Sequence, residues 1–141
     1  VCPTHDVLRN ASVDRTREDY PEAIIIAHPE CREDVVDAAH EVCSTTGMLD
    51  AVGRYPDAKT FIIATEEGMM HQLKLRYPEK EFVSADGCIG CRLHCPYMKV
   101  TGLQDIYFSL ADERFEITLD DDVIEGARAA LERMMAVPRD H

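Results

Sequence analysis

Three short runs of mostly β-branched and aromatic residues recur along the chain, at positions 23–27, 60–64 and 81–84. Proline or charged residues lie close to both ends of each run. Short apolar runs with such borders are typical of strands that are buried on both faces of a parallel sheet. We therefore predict three parallel strands at these positions.

Segments with the apolar spacing of a helix separate these strands. In the first segment, apolar residues recur at intervals of about three up to Val42, as on the buried face of a helix. The predicted helices cover residues 33–42, a stretch that starts at Met48, and residues 67–77. This alternation of strands and helices predicts an α/β fold with three α/β/α layers around a short parallel sheet.

The chain is predicted to divide into two parts, and only the first contains recognisable motifs. Residues 1–98 contain every motif described below and are expected to form the α/β domain. Residues 99–141 carry no motif and are expected to be a C-terminal packing segment. Its pattern predicts a helix at 102–110, a strand or extended stretch at 114–118, and a last helix that starts at Asp120. Aspartates at the start of that helix are favoured by the helix dipole.

The charge balance excludes some classes of partner. The chain has 27 acidic and 15 basic residues, which gives a formal net charge of −12. Nucleic acids and anionic membrane surfaces attract basic proteins, so this excess of acidic residues argues against both partners. The longest apolar run is far shorter than the ~20 residues that a membrane-spanning helix needs. The start of the sequence does not resemble a secretory signal, and we expect a cytoplasmic protein.

Chemically functional side chains follow each predicted strand. His28 and Glu30 come after the first strand, Thr65 follows the second, and a cysteine-rich loop follows the third. Because ligands bind beyond the carboxyl ends of parallel strands, these groups are expected at one active site. A histidine and a carboxylate there can act as acid and base. The alternative is a solvated turn that leads into the next helix.

Ser44 and Thr45 precede the predicted helix at Met48 and have two interpretations. Their hydroxyl groups are good helix N-caps, which is a purely structural role. The same hydroxyls and free backbone N–H groups also suit a bound phosphate or carboxylate. The neighbouring Cys43, like Cys31, is expected to be a small packing residue.

The remaining cysteines are spaced for metal or redox chemistry. Cys88, Cys91 and Cys95 lie within eight residues of one another, and Cys2 lies near the start of the sequence. Thiolates this close together serve a zinc ion, an iron–sulfur cluster or a redox pair, and the spacing leaves all three open. One alternative to an enzyme is therefore a zinc-stabilised, non-catalytic binding module that uses Cys88, Cys91, Cys95 and His94.

Taken together and in order, these motifs resemble the C-terminal part of the quinolinate synthase family, the A proteins of NAD biosynthesis. Each motif is short, but their order and gaps are specific, and the resemblance extends over nearly the whole chain. The main matching stretches are Cys2-Pro3-Thr4-His5-Asp6, His28-Pro29-Glu30-Cys31, Ser44-Thr45-Thr46-Gly47-Met48, Ile63-Ala64-Thr65-Glu66-Glu67-Gly68 and Cys95-Pro96-Tyr97-Met98-Lys99.

The resemblance implies an architecture and a cofactor. Members of the family have three α/β/α domains around a pseudo-threefold axis, and each domain gives one cysteine to a central [4Fe–4S] cluster. Cys2 matches the second of these ligands and Cys95 the third, whereas the first would lie upstream. One iron of the family's cluster has no protein ligand and acts on the substrate as a Lewis acid.

The resemblance also implies a reaction and roles for residues. Family members are transferases that condense iminoaspartate with dihydroxyacetone phosphate, releasing phosphate and water, to give quinolinate. By this resemblance His28 and Glu30 are acid–base groups that contact the substrate, and Ser44 and Thr45 hold a phosphate or carboxylate. L-aspartate oxidase is the expected supplier of iminoaspartate.

Two features depart from the pattern of the family. Position 43 is cysteine where the family usually has glycine. The N-terminal half of the family's sequence, with the first cluster ligand and several substrate contacts, has no counterpart here, so the chain alone is expected to be an inactive fragment. Cys88 and Cys91 resemble a C-x-x-C that some members carry before the third ligand.

Overall fold

Four short strands form one parallel sheet in the computed structural model, which describes residues 2–85 and 93–137. The strands are β1 (Ile24–Ala27), β2 (Glu41–Val42), β3 (Thr60–Ala64) and β4 (Glu81–Ser84). Their order across the sheet is β2-β1-β3-β4, and every pair is parallel. The three strands predicted from the apolar runs are confirmed, and β2 is an additional strand at one edge.

Both faces of the two central strands are buried. Ile25 on β1 and Ile62 on β3 belong to one core, whereas Ile26 and Ile63 belong to the core on the opposite face. All four side chains are at most 1% exposed. Successive residues of a strand point to opposite faces, so a continuous apolar run supplies both cores at once. Full burial of a side chain of this size contributes about 1.5–3 kcal/mol.

Helices cover both faces of this sheet. The helices up to residue 99 are α1 (Pro3–Asp6), α2 (Asn10–Asp19), α3 (Glu33–Ala38), α4 (Thr45–Gly53), α5 (Met69–Arg76) and α6 (Pro96–Lys99). Val13 of α2 and Val35 of α3 pack into one core, and Met48 of α4 and Leu73 of α5 pack into the other. The predicted α/β fold, with helices on both faces of a short parallel sheet, is thereby confirmed.

The prediction of one helix over residues 33–42 is wrong at its C-terminal end. Helix α3 ends at Ala38, and Ala39 is extended, with ψ 146°. The His40 backbone N–H then donates to the Ile25 carbonyl at 2.9 Å, and the Ile25 N–H donates to His40 Nδ1 at 2.9 Å. The two residues of β2 follow at once. A strand of two residues is too short to show the alternation of a strand. Val42 therefore fitted the apolar spacing of the preceding helix, which extended the predicted helix too far.

The connections between the strands reverse direction at the centre of the sheet. From β1 the chain passes through α3 to β2 on one side, and from β2 it returns through α4 to β3 on the other side of β1. The crevice beyond the carboxyl ends of β1 and β3 is therefore a topological switch point, where open α/β sheets bind their ligands. His28 and Thr65 are the first residues beyond these two ends.

The chain divides into two compact units, Val1–Met98 and Lys99–His141. The second unit contains α7 (Leu103–Ala111) and α8 (Asp121–Met135), which confirm the two helices predicted there. Asp120 occupies the N-cap position of α8 with an extended backbone. Two further aspartates in the first turn place negative charge where the helix dipole favours it.

The stretch between these two helices is not a strand, so that alternative of the prediction for 114–118 is wrong. Glu113 and Phe115 have φ values of 53° and 66°, in the left-handed region that strands do not use. Large apolar side chains of this unit are exposed, among them Leu103 and Ile117 at 85% each. Within residues 2–85 and 93–137, no helix is both long enough and apolar enough to cross a membrane.

The hydroxyl group of Tyr77 connects the end of α5 to α4. It donates a hydrogen bond to the Leu49 carbonyl at 2.9 Å, while the ring packs against the core on that face. We expect Tyr77→Phe to lower the free energy of unfolding of the full-length protein by about 1 kcal/mol, the net value of one hydrogen bond. Denaturant unfolding should show a lower midpoint with an unchanged slope.

Tyr107→Phe is the matched control for this substitution. The Tyr107 side chain is 63% exposed, and its hydroxyl has no hydrogen-bond partner in the part of the chain that the structure describes. We expect no change of the midpoint in this variant. Equal losses in the two variants would show that the Tyr77 hydrogen bond does not stabilise the fold.

Candidate active site

The candidate site lies at the switch point, where β1 and β3 end. The His28 backbone N–H donates to the Ala64 carbonyl at 3.1 Å, so the two chain segments leave the sheet side by side. Thr65 follows β3 and is buried. Glu30, two residues after His28, has a side chain that is 54% exposed. The motifs after the first two predicted strands therefore meet at one edge.

Helix α1 brings a second histidine, His5, to the same edge. His5 Nε2 lies 2.9 Å from Thr65 Oγ1, and His5 Nδ1 lies 3.2 Å from Glu30 Oε2. The rings of His5 and His28 are stacked, with centroids 4.5 Å apart and an angle of 5° between their planes. His28 Nδ1 is 3.7 Å from the same Glu30 oxygen. Two imidazoles, a carboxylate and a hydroxyl thus converge at the crevice.

These contacts determine which atoms carry protons. A carboxylate can only accept, so His5 Nδ1–H donates to Glu30, and in the neutral ring His5 Nε2 accepts the Thr65 hydroxyl. His28 Nδ1 accepts the backbone N–H of Glu30 at 3.2 Å, so the neutral His28 ring carries its proton on Nε2. The site can therefore offer an N–H donor from His28 and a carboxylate oxygen from Glu30 to a bound molecule.

The surroundings of His28 favour its neutral form. Burial lowers the pKa of His28 below its ordinary value, and the adjacent His5 lowers it further, while the Glu30 carboxylate raises it in part. At neutral pH the ring is therefore uncharged. A neutral imidazole next to a carboxylate is a common arrangement for general acid–base catalysis.

Cys2 belongs to the same cluster of side chains. It lies in the residue before α1, and its Sγ, the ring nitrogen of His5 and the carboxylate oxygen of Glu30 are all within 4.8 Å of one another. The backbone carbonyl of Cys2 accepts the His5 N–H at 3.1 Å, which joins the backbones of the two residues. The cysteine that matches a cluster ligand is therefore adjacent to the predicted acid–base residues.

Cys95 reaches the neighbourhood of Cys2 from the far end of this unit. It is buried, and the Thr4 hydroxyl donates a hydrogen bond to its sulfur. This bond and that from the backbone N–H of Met98 lower the pKa of the Cys95 thiol. A lower pKa favours the thiolate, the form that binds iron. Cys2 and Cys95 are both free thiols, and thiolate sulfur is the ligand type that iron–sulfur clusters use.

Cys31 and Cys43 have a different environment, which agrees with their predicted packing role. Cys31 is buried in the core, and its thiol donates to the Ala64 carbonyl at 3.3 Å. Burial raises the pKa of Cys31 to about 11. Cys43 packs against the core on the other face, and burial raises its pKa as well. Both thiols stay protonated at neutral pH and are poor metal ligands.

Ser44 and Thr45 lie at the N-terminus of α4, just beyond the carboxyl end of β2. Ser44 is the N-cap of this helix, because its Oγ accepts the Gly47 N–H at 3.3 Å. Strand β2 neighbours β1, so both residues are at the same sheet edge as His28 and Glu30. Among the described residues, no hydrogen bond joins Ser44 or Thr45 to His28 or Glu30.

The first turn of α4 is closely packed at Gly47. A Cβ atom at this position would lie 2.8 Å from the Cβ of Cys43, closer than carbon atoms approach without bonding. The Ser44 Oγ would be 3.4 Å away from it. The cysteine at position 43 thus occupies the space beside the N-cap and leaves room only for glycine at position 47.

The zinc alternative relies on Cys88 and Cys91, and the same two residues form the alternative redox pair. Both lie outside the described residues. Of the other two zinc ligands, His94 has its Nδ1 2.7 Å from Glu67 Oε1, and Cys95 lies beside Thr4. The ring of His94 and carboxylate oxygens of Glu66 and Glu67 offer ligand atoms within 4.8 Å of one another, but this group does not include the predicted cysteines. The zinc module therefore stays a prediction.

Two residues of the site, His5 and Thr4, are absent from the predicted set, whereas Thr65 was expected at this edge. A signal existed for both, since His5 and Thr4 stand in the stretch after Cys2 that carries the resemblance. What the sequence does not display is the return of α1 to the sheet edge. This helix has only four residues, too few for an amphipathic pattern.

The sequence is similar to known proteins along nearly its whole length. A family model described as quinolinate synthetase A protein matches residues 1–136. Over 139 residues the chain is 42% identical to the quinolinate synthase of Geotalea uraniireducens (strain Rf4). The matched region covers 99% of this chain and 44% of that protein. Over 136 residues it is 39% identical to the quinolinate synthase of Methanosarcina barkeri (strain Fusaro / DSM 804). That match covers 96% of this chain and 43% of the relative.

The chain thus spans less than half the length of these curated relatives. The match nevertheless includes every motif of the first unit and both helices of the second. The resemblance predicted from the short motifs is confirmed, and the chain belongs to the quinolinate synthetase A protein family.

Proposed function

We propose that this chain is the C-terminal part of a quinolinate synthase, which condenses iminoaspartate with dihydroxyacetone phosphate to quinolinate in NAD biosynthesis. The convergence of Cys2, His5, His28, Glu30 and Thr65 at the switch point carries this proposal. Acid–base groups next to a cysteine that matches a cluster ligand suit a reaction that moves protons beside a metal centre.

Glu30 and His28 are the proposed acid–base pair of this reaction. The Glu30 carboxylate is half-exposed and hydrogen-bonded by His5, so it can accept a proton from a substrate while it is held in place. His28 presents its Nε2–H, which can donate to an oxygen that leaves as water. Thr65 orients His5 and thereby acts indirectly on Glu30.

Ser44 and Thr45 are the proposed binding residues for a phosphate or carboxylate group of the substrates. Helix N-termini carry partial positive charge and free N–H groups, which favour anions. The Ser44 oxygen accepts the Gly47 N–H, and its own hydroxyl hydrogen stays available for an anion. The position beside β1 is compatible with a substrate that also reaches Glu30.

Cys2 and Cys95 are the proposed ligands of a [4Fe–4S] cluster, together with a third cysteine from the part of the family's sequence that this chain does not cover. When bound, the cluster supplies a Lewis acid that polarises substrate oxygen. Hydrogen bonds from Thr4 and from the backbone of Met98 lower the pKa of Cys95, which favours the thiolate that binds iron. Cys31 stays protonated nearby and does not compete.

The cellular setting follows from the proposed reaction. L-aspartate oxidase is the proposed supplier of iminoaspartate, and the cytoplasm is the proposed location. Neither nucleic acid nor a membrane is a proposed partner, which is supported by the net charge of −12.

The proposal is tested by comparing the full-length protein with the 141-residue chain, both purified without oxygen and supplied with both substrates. We expect iron, sulfide and quinolinate formation from the full-length protein. We expect no quinolinate from the chain alone, because a cluster ligand and several substrate contacts are missing. Chromatography measures quinolinate, and metal analysis measures iron and zinc.

Two outcomes would contradict this expectation in different ways. Turnover by the isolated chain would show that it is not an incomplete fragment. Stoichiometric zinc and no iron in the full-length protein would favour the zinc module instead.

A further inference from the structure

Cys2, His5 and Glu30 offer three different metal-binding atoms at the crevice. The thiol sulfur, a ring nitrogen and a carboxylate oxygen all lie within 4.8 Å of one another, and His5 Nδ1 is 3.2 Å from Glu30 Oε2. Ligand atoms around a tetrahedral zinc ion are about 3.3–3.6 Å apart, because the zinc–ligand bonds are about 2.0–2.3 Å long. The three atoms therefore reach the spacing of a zinc site by shifts of at most about 1.5 Å.

Two hydrogen-bonded turns supply these three ligands. Cys2 is the N-cap of α1, and its carbonyl accepts the His5 N–H at 3.1 Å. Residues three apart lie on the same face of a helical turn, so the thiol and the ring can reach one ion. Glu30 lies in the turn after β1, which is closed by the Cys31 N–H donating to the His28 carbonyl at 2.9 Å.

The ring of His5 is already held in the way that metal-bound histidines are held. A histidine that binds a metal through one nitrogen usually donates its other N–H to a fixed acceptor. His5 Nε2 lies 2.9 Å from Thr65 Oγ1, and both residues are buried. The Thr65 hydroxyl can rotate and accept this N–H. Stacking on the His28 ring, 4.5 Å away, restricts rotation of the His5 ring.

The types of ligand atom select the metal. Sulfur and nitrogen ligands favour zinc, whereas magnesium and calcium require sets of oxygen ligands. The Glu30 side chain is 54% exposed, so water can reach the fourth position of the ion. Three protein ligands and one water form a complete tetrahedral zinc site.

We propose that Cys2, His5 and Glu30 bind one zinc ion in the cluster-free protein, and that this zinc blocks assembly of the cluster. Zinc replaces the proton on His5 Nδ1, and the neutral ring then carries its proton on Nε2. The Cys2 thiol releases its proton to water. Zinc binding depends on these crevice residues alone. Its effect on the cluster rests on the proposed function, because it requires Cys2 to be a cluster ligand.

The test measures zinc affinity in full-length protein that carries Cys95→Ser. This substitution removes a ligand from the proposed cluster and also from the alternative zinc module, so neither of those sites is complete. The affinity for Zn²⁺ is measured without oxygen, by competition with a chromogenic chelator. Circular dichroism shows whether each variant is folded. If Cys95→Ser does not fold, the same substitutions are compared in the wild-type protein freed of iron.

Three further substitutions probe the ligands and their support. Thr65→Val keeps the shape of the side chain but removes the acceptor for His5, and we expect zinc affinity to fall roughly 10–100-fold. Glu30→Gln and His5→Phe each remove a ligand, and we expect larger losses than in Thr65→Val. Glu30 is half-exposed, so its replacement should fold even if that of buried His5 does not.

Thr60→Val is the matched control for Thr65→Val. Thr60 lies at the other end of β3, and its hydroxyl donates to Glu81 Oε2 at 3.1 Å. The substitution removes a hydroxyl hydrogen bond from the same strand, far from the crevice. We expect zinc affinity to stay at the value of the parent protein.

The effect on the cluster is measured with protein that retains Cys95. We expect zinc-loaded, iron-free protein to take up little iron and sulfide until a chelator removes the zinc. Full cluster assembly while the zinc stays bound would overturn the blocking role.

Unchanged zinc affinity in both Glu30→Gln and His5→Phe would overturn the site. Loss of zinc in Cys95→Ser alone would also overturn it, because the ion would then be held by the cluster thiols or by the zinc module. Neither result touches the proposed function, which fails only if the wild-type full-length protein holds no iron and forms no quinolinate.

Discussion

We expect the replacement of Glu30 by glutamine to lower the kcat of the full-length protein by roughly 10²–10⁴-fold, the range typical for loss of a general acid or base. The amide oxygen of glutamine can still accept the hydrogen bond from His5, but the amide cannot take up a proton. Because the geometry of the crevice is kept, KM should change little. Steady-state rates of quinolinate formation over a range of pH measure both constants.

Glu22→Gln provides the control for this substitution. Glu22 is exposed and lies just before β1, at the opposite edge of the sheet from the crevice. The same change of charge there should leave kcat at the wild-type value. If Glu30→Gln also had the wild-type kcat, Glu30 would be a residue of the turn and not a catalytic group.

The second large effect concerns the cluster itself. Cys2→Ser or Cys95→Ser should abolish the [4Fe–4S] cluster of the full-length protein, because serine oxygen is a poor ligand for iron–sulfur centres. The hydrogen bonds that favour a thiolate at Cys95 cannot restore a soft ligand once the sulfur is gone. Iron and sulfide content and the visible absorption of the cluster measure the loss.

The other cysteines separate this assignment from the zinc alternative. Cys31→Ser and Cys43→Ser should keep the iron, because both thiols are packed in cores and held in the protonated form. Cys88→Ser and Cys91→Ser should keep most of it as well and change only sensitivity to oxidation. A zinc module predicts the opposite result, in which Cys88 and Cys91 are indispensable for metal binding and Cys2 is not needed. Loss of metal in Cys88→Ser with retention in Cys2→Ser would refute the assignment.

The fold was predictable where local pattern and tertiary environment agree. The runs that became β1 and β3 are apolar at every position except Thr60, because both sheet faces are buried, and this is visible in any short window. The edge strand β2 was not predictable, since its pairing with β1 depends on a chain reversal that follows Ala39. The polar helix α2 was not predicted either. Val13 is its only buried residue, so it has no apolar face for the pattern to show.

The candidate site was predictable to the extent that its residues follow strands. His28 and Glu30 could be located because the carboxyl ends of parallel strands meet at one edge. The contacts of His5 could not, because they join residues 25 and 60 positions apart through a four-residue helix. Thr4 was hidden in the same way, since its partner Cys95 is distant in sequence and close only after folding.

A larger residue at position 47 requires a change at position 43 as well. With cysteine at position 43, even the methyl group of alanine at position 47 has no room, since the two Cβ atoms would be 2.8 Å apart. A glycine at position 43, which is usual in the family, would remove that obstacle. Cys43 therefore restricts position 47 to glycine, and an engineered change of the α4 N-terminus has to start with Cys43.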